Sequence, residues 1–239
     1  MRTTLELTER FEDRREIKNL MGKYVASLIL KREGQIFADF WSNAEDVTLG
    51  FNNGYYKGAE AIKGYYAAVA EATRLKGKAL QAKFPEKLGS LSDEELYGTG
   101  PYDAKPLTSP YIVEAEDGQT AKALWMVQGI DTDITTAGPV TYWTWGYFAV
   151  DFIKEDGVWK FWHLQYLEDI HHLSGQNWGA PEVPYPDLPE FASLADIEIP
   201  APNVPMVLRE KYSPDRGYTP APQIPVPYNT FAETFSYGI

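Results

Sequence analysis

The sequence has no cysteine, three histidines, and no apolar run approaching the about 20 residues that a membrane-spanning helix needs. Lack of cysteine excludes disulfides, thiolate nucleophiles, thiolate zinc sites and iron–sulfur clusters. The N-terminus, Met1-Arg2-Thr3-Thr4-Leu5-Glu6, is polar and carries no signal-like stretch. Positive charge is also scarce. Lys and Arg total 22 against 34 Asp and Glu, a formal net charge of −12, which argues against nucleic acid held by phosphate neutralisation and against anionic membranes. Dinucleotide fingerprints, phosphate loops, nucleophile elbows and internal repeats are missing. These absences leave a cytoplasmic location as the default.

Aromatic side chains, by contrast, are plentiful: 7 Trp, 16 Tyr and 11 Phe. Rings fill cores, line apolar pockets and anchor interfaces. The 239 residues allow one large domain, or one domain with an extension. Such a chain buries roughly three quarters of its unfolded surface and needs no metal for stability.

Apolar residues Ile17, Leu20, Met21, Tyr24, Val25, Leu28 and Ile29 recur at steps of three and four, which predicts a helix over about Thr8 to Lys31. Thr8 is a candidate cap, and Gly34 lies just past the end. A short helix follows around Ile36–Trp41. Asp46–Phe51 alternates as a strand, Asn52-Asn53-Gly54 reads as a tight turn, and residues 58–76 return to helical spacing. From Gly77 to Pro110 no period survives except a possible short helix over Ser92–Tyr97, and loops of that length often serve as lids or ligand-binding elements. The period then becomes two. Tyr111–Glu116 and Thr120–Ile130 flank one hairpin turn at Asp117-Gly118, and Thr141–Lys154 and Val158–Leu167 flank another at Asp156-Gly157. Helices followed by long, mostly antiparallel strands make an α+β arrangement.

After Gly175 the composition changes. Twelve of the 17 prolines lie between Pro181 and Pro227, interleaved with Trp178, Tyr185, Phe191, Tyr212, Tyr218, Tyr228, Phe231, Phe235 and Tyr237. Rings spaced through a helix-poor segment give it surface to bury against its ordering entropy. Residues 1–175 therefore read as the folded domain. Residues 176–239 read as an extended strap over that domain, over a partner subunit, or across a pocket mouth.

The order of these pieces resembles the SnoaL-like branch of the nuclear transport factor two superfamily. The resemblance rests on Arg15-Glu16-Ile17-Lys18-Asn19-Leu20-Met21-Gly22-Lys23-Tyr24, on Phe40-Trp41 with Val47-Thr48-Leu49, and on Tyr56-Lys57-Gly58-Ala59-Glu60-Ala61-Ile62. Asp117-Gly118-Gln119-Thr120-Ala121-Lys122-Ala123-Leu124-Trp125 and Phe152-Ile153-Lys154-Glu155-Asp156-Gly157-Val158-Trp159-Lys160 complete it. It implies a conical barrel of strongly curved antiparallel sheet wrapped around N-terminal helices, with a pocket between them. It also implies homodimers or higher homo-oligomers, commonly through the outer sheet face. Members include cofactor-independent dehydratases, isomerases, cyclases and epoxide hydrolases, besides non-catalytic binding modules, so fold alone does not fix function. Several dehydratases of the branch carry an acid five positions after the first-helix tyrosine and pair it with a sheet histidine. Here Ile29 stands at that position, and Pro106-Leu107-Thr108-Ser109-Pro110 occupies the stretch where such a histidine often sits. The aromatic strands and long C-terminal strap are more distantly similar to cofactorless lyases that release formaldehyde from lignin-derived diarylpropanes.

Candidate chemistry centres on His163, which in a regular strand shares a face with Trp159, Phe161 and Gln165 and, by the resemblance, looks into the pocket. The alternative is a core histidine satisfied by a neighbour. Glu168 or Asp169 could orient a catalytic histidine. His171 and His172 beside Glu168 and Asp169 invite a metal, but without a spaced third ligand they read as a solvated polar loop, and no metal is assigned. Tyr24, with Tyr55 or Tyr147, could stabilise charge on a substrate oxygen. Trp41, Tyr65, Trp125, Trp145 and Phe161 are candidates to hold rings. Lys31 and Lys154 read as solvated, and Asp131 and Asp133 receive no role. The expected function is a cofactor-independent lyase on a hydrophobic aromatic or polycyclic oxygenated molecule, acting by dehydration or by retro-aldol cleavage. An isomerase in the same pocket, or a non-catalytic small-molecule-binding module, remains the alternative.

Overall fold

The computed structural model describes residues 3–100, 102–135, 138–177, 179 and 199–239. Trp178, Tyr185 and Phe191 of the strap lie outside the described residues.

Helix α1 spans Thr4–Ile29. It starts earlier than its apolar period suggests because Thr3 and Glu6 form a reciprocal cap. The Thr3 amide donates to Glu6 Oε2 at 2.6 Å, and the Glu6 amide donates to Thr3 Oγ1 at 3.2 Å. Thr8, inside the helix, donates its hydroxyl to the Thr4 carbonyl instead. The inward stripe Ile17, Met21, Tyr24 and Val25 is buried. After a single 3₁₀ turn come α2 (Ile36–Phe40), β1 (Thr48–Phe51), β2 (Gly54–Lys57) and α3 (Ala59–Lys83). Helix α3 runs past the expected stop. Gly77 breaks nothing, and a Cβ there would stand 2.6 Å from the Leu96 carbonyl, so this glycine admits the close approach of α5. The region of lost period holds two short helices, α4 (Pro85–Leu88) and α5 (Asp93–Tyr97).

Strands β3 (Tyr111–Glu114), β4 (Thr120–Thr135), β5 (Gly138–Glu155), β6 (Val158–Leu173) and β7 (Val204–Pro205) complete one sheet of order β3-β4-β5-β6-β1-β2-β7. The sheet is curved, open at both edges, and antiparallel except where β1 runs parallel to β6. The β5–β6 turn places Asp156 (φ 50°) and Gly157 (φ 80°) in the left-handed region, as a two-residue hairpin requires. The fold is an α+β cone, its core lying between α1, α2, α3 and the concave sheet face. No helix among the described residues is long and apolar enough to cross a membrane.

Two irregularities in β6 decide which side chains face inward. Asp151 and Phe152 pair with His163 and Phe161, leaving Trp162 as an extra residue; Trp145 and Gly146 pair with Ile170 and Glu168, leaving Asp169 extra. Each is a β-bulge, and each reverses the in–out alternation beyond it. Phe161 faces the core, His163 faces outward, and Leu164, Tyr166 and Glu168 face inward.

The described part of the strap, residues 199–239, contacts the domain at several points. Its β7 pairs with β2, and the Arg209 and Tyr212 amides donate to the Asn52 and Asp169 carbonyls at 2.8 and 2.7 Å. Its last residues cross the convex face, where the Glu116 amide donates to the Tyr228 carbonyl.

Candidate active site

A cavity of about 460 Å³ lies between α1, α3 and the concave sheet face. Val25, Leu28, Ile29, Val69, Phe148 and Leu164 give it an apolar wall. Three polar groups interrupt that wall.

The first is a pair of phenols. Tyr24 Oη lies 3.0 Å from Tyr66 Oη, both side chains buried, because α1 and α3 turn these positions toward each other. Burial pushes the Tyr24 hydroxyl up to about 12 and that of Tyr66 well above the usual phenol value, so both remain protonated at neutral pH. Tyr65 beside them borders the cavity, its hydroxyl likewise raised by burial.

The second is a pair of carboxyls. Asp103 lies in the loop before β3, and Ala104 pins this loop to β4 through two backbone hydrogen bonds with Ile130, both 3.0 Å. That pinning brings Asp103 beside Asp131 on the inward face of β4. Gly129 makes the approach possible, since a Cβ there would stand 2.8 Å from the Ala104 carbonyl. Burial, then the hydrogen bond to Asp131 and that residue's charge, push the Asp103 carboxyl up to about 7, against the pull of Lys105 and Lys31. Asp103 Oδ1 is out of water with no hydrogen-bond partner, and Lys31 and Lys105 also line the cavity.

The third is a charged chain built partly by the strap. Lys211 Nζ lies 3.0 Å from Glu168 Oε1, and His171 Nδ1 lies 3.3 Å from the same oxygen. Tyr166 donates a long hydrogen bond to Glu168 Oε2 (3.4 Å), and the Asn52 side chain bonds both the amide and the carbonyl of Glu168 at 3.0 and 2.8 Å. Burial alone would raise the Glu168 carboxyl; the hydrogen bond from His171 and the charges of Lys211 and His171 outweigh it and hold the group at about 2. Glu168 is therefore a fixed anion, whereas Asp103 exchanges its proton near neutrality.

Of the residues expected from sequence, Tyr24, Tyr65 and Glu168 border this cavity. Trp41 and Phe161 sit beneath it, packed edge-on against the Tyr24 ring at 5.9 and 5.2 Å. Trp125 is core, against Phe152. Four expectations are corrected. His163 does not look into the cavity: the bulge at Trp162 turns it onto the convex face, where its Nδ1 lies 2.9 Å from Asp151 Oδ2 under the strap. Tyr55 also lies on that face, accepting a hydrogen bond from Gln165 Nε2. Trp145 and Tyr147 alternate with the inward-facing Phe148 and stand half-buried outside. His171 and His172 are strand residues rather than a solvated loop, and no three His, Asp or Glu among the described residues are grouped to hold a metal ion.

Asp103, Asp131, Lys31, Lys105, Tyr166, Lys211 and Asn52 carried no sequence signal as site residues. Leu164, Tyr166 and Glu168 do share a period of two, and that phase was the available clue. Lys154, expected to be solvated, pairs with Asp13 at 2.7 Å.

The profile of the SnoaL-like domain matches residues 9–165. No curated protein sequence matches the chain. Among solved structures, the hexachlorocyclohexane dehydrochlorinase LinA-type3 from Novosphingobium barchaimii is 16% identical over 73% of this chain and 99% of its own length (TM-score 0.47). The Kfla4162 protein from Kribbella flavida is 14% identical over 68% of this chain and 95% of its own (TM-score 0.49). Rv3472 from Mycobacterium tuberculosis, of unknown function, is 17% identical over 69% and 76% (TM-score 0.46).

Proposed function

This chain belongs to the SnoaL-like domain family, and from that premise we propose that it is a cofactor-independent lyase acting on a hydrophobic, ring-bearing, oxygenated small molecule in the cavity between α1, α3 and the sheet. One observation carries the reading: Asp103, its Oδ1 out of water without a hydrogen-bond partner and its carboxyl pushed up by burial and by Asp131, borders an apolar cavity that also presents neutral phenols. A base is most effective when its pKa lies near the working pH, and a phenol can donate to an oxygen on which charge develops. In a dehydration, Asp103 takes a proton from the carbon next to the C–O bond. The released electron pair forms the double bond as the C–O bond breaks, and the departing hydroxyl receives a proton from a cavity phenol. In a retro-aldol cleavage Asp103 takes the proton of a substrate hydroxyl, the oxygen's electron pair forms the carbonyl of the small aldehyde that leaves, and the pair of the broken C–C bond, left on the other carbon, takes a proton from a cavity phenol.

Incubation with a panel of hydroxylated diaryl and polycyclic compounds, read by mass spectrometry, tests this. Loss of water or of formaldehyde that disappears in Asp103→Asn is the expected result. Ile29, which borders the cavity where dehydratases of the branch carry an acid, favours the binding-module reading. Compounds that raise the melting temperature with mass and retention unchanged would put that reading first. Exposed Met126, Ile130 and Trp143 on the convex face support the expectation of a homodimer, which light scattering checks.

A further inference from the structure

A second cavity, of about 300 Å³, opens on the convex side between β2, β6 and the strap. It is separate in kind from the first. Leu167, Phe235 and Pro222 supply apolar wall, and two buried tyrosines border it: Tyr237 gives its proton to the Gln223 carbonyl at 2.6 Å, whereas Tyr55, 7% exposed, has no such acceptor among the described residues. The Tyr55 ring lies flat against Gly50, where a Cβ would stand 2.5 Å from Cε1, so the backbone is cleared for that ring. Its hydroxyl accepts from Gln165 Nε2 at 2.8 Å, and no acceptor among the described residues takes its own proton. A phenol that faces a cavity with its own proton not taken up by the protein can give that proton to an acceptor on a ligand.

We propose that this outer cavity binds a neutral, single-ring molecule carrying one carbonyl oxygen, which accepts the Tyr55 hydroxyl while the ring packs on Leu167 and Phe235. A volume at the lower end of ligand sites suits one ring. Walls that are largely apolar, with the Tyr55 hydroxyl as the phenol whose proton is not taken up, suit a neutral ketone: Arg209, the cation at the rim, is already paired with Asp169 at 2.5 Å. The site also reaches the candidate active site. Phe51 and Asn52 border both cavities, and Asn52 is the residue that holds the Glu168 backbone. Occupancy of the outer cavity is therefore felt at Glu168. None of this depends on the lyase reading.

The test is an NMR titration of the full-length, ¹⁵N-labelled protein with acetophenone and with ethylbenzene, its near-isostere lacking the acceptor. Expected are saturable shifts of the Gln165 side-chain amide and the Glu168 backbone amide with acetophenone. Ethylbenzene should bind about tenfold more weakly, as should acetophenone to Tyr55→Phe, the worth of one hydrogen bond. Leu164→Trp, which fills the inner cavity, should leave these shifts in place, and Leu167→Trp, which fills the outer one, should abolish them. The proposal is overturned if Gln165 shows no saturable shift, if ethylbenzene binds as well as acetophenone, or if Leu164→Trp removes the shifts and Leu167→Trp does not.

Discussion

Lys122 Nζ stands 2.6 Å from Asp151 Oδ1 with both side chains completely out of water. The strap closes over this pair. Phe231, Phe235 and Tyr237 bring their ring centroids within 4.4, 4.6 and 5.2 Å of the ammonium, and Ser236 Oγ and the Tyr237 amide donate to Asp151 Oδ2. Removing one partner of such a pair strands the other charge in a dry site. Asp151→Asn should therefore cost about 3–5 kcal/mol of stability, whereas Lys122→Met combined with Asp151→Leu should recover much of it. Urea denaturation of the single and double variants measures both; equal losses in the two would show that the ion pair is not what holds the strap.

His163 belongs to this cluster rather than to the cavity. His163→Ala should lower stability by about 1–3 kcal/mol, the cost of a lost buried hydrogen bond with its packing. It should leave the affinity of cavity ligands unchanged, while Tyr24→Phe with Tyr66→Phe alters it. Calorimetric titration of each variant decides the matter, and a His163→Ala protein that folds but binds nothing would contradict the placement.

Asp103 gives the proposed reaction a defined pH limb. As the base it must be deprotonated, so turnover should rise with pH through about 7. Burial raises it most, and Asp131→Asn removes the charge that adds to burial, so the limb should move to lower pH. Stability runs the opposite way. Between the ordinary carboxylate value of 3.8 and about 7 the native chain holds a proton that the unfolded chain has lost, so stability falls as pH rises through that window. A turnover profile that stays put in Asp131→Asn would remove Asp103 as the titrating group.

Glu168 behaves inversely. Its value drops from the ordinary 4.5 to about 2, so its contribution is present above 4.5 and is lost as acid carries the pH toward 2. Lys211→Met should raise the Glu168 carboxyl. The variant should be less stable at neutral pH, with a smaller further loss down to about pH 3. Carboxyl ¹³C titration of Glu168 reads the shift directly, and an unmoved Glu168 would mean that Lys211 only fills space.

Helices and hairpins were legible because each is written locally: the stripe from Ile17 to Val25 and the Asp156-Gly157 turn. The faces of β6 were not. A bulge leaves no mark on composition, and reading Val158–Leu167 as regular sent His163 to the wrong side while Tyr166 went unnoticed. Asp103 was hidden for another reason. Its loop has no period, and only the backbone pairing of Ala104 with Ile130 carries it to Asp131, a contact that no sequence spacing encodes. Thr3 and Glu6, in contrast, form a readable capping box that the apolar stripe alone overlooked.

The two extra residues of β6, Trp162 and Asp169, also set the strand's tolerance to insertion and deletion. Together they add one full pleat, so the strand enters and leaves with the same phase, and only the stretch from His163 to Glu168 is inverted relative to an unbroken strand. Losing either extra residue would regularise the pairing at that point and keep every neighbour on its present face. Losing any one residue between them would drive Tyr166 and Glu168, or His163 and Gln165, through the sheet. Loss of Asp169 would also free the Tyr212 amide and Arg209, so of the two only Trp162 is clear of the strap segment that carries Lys211.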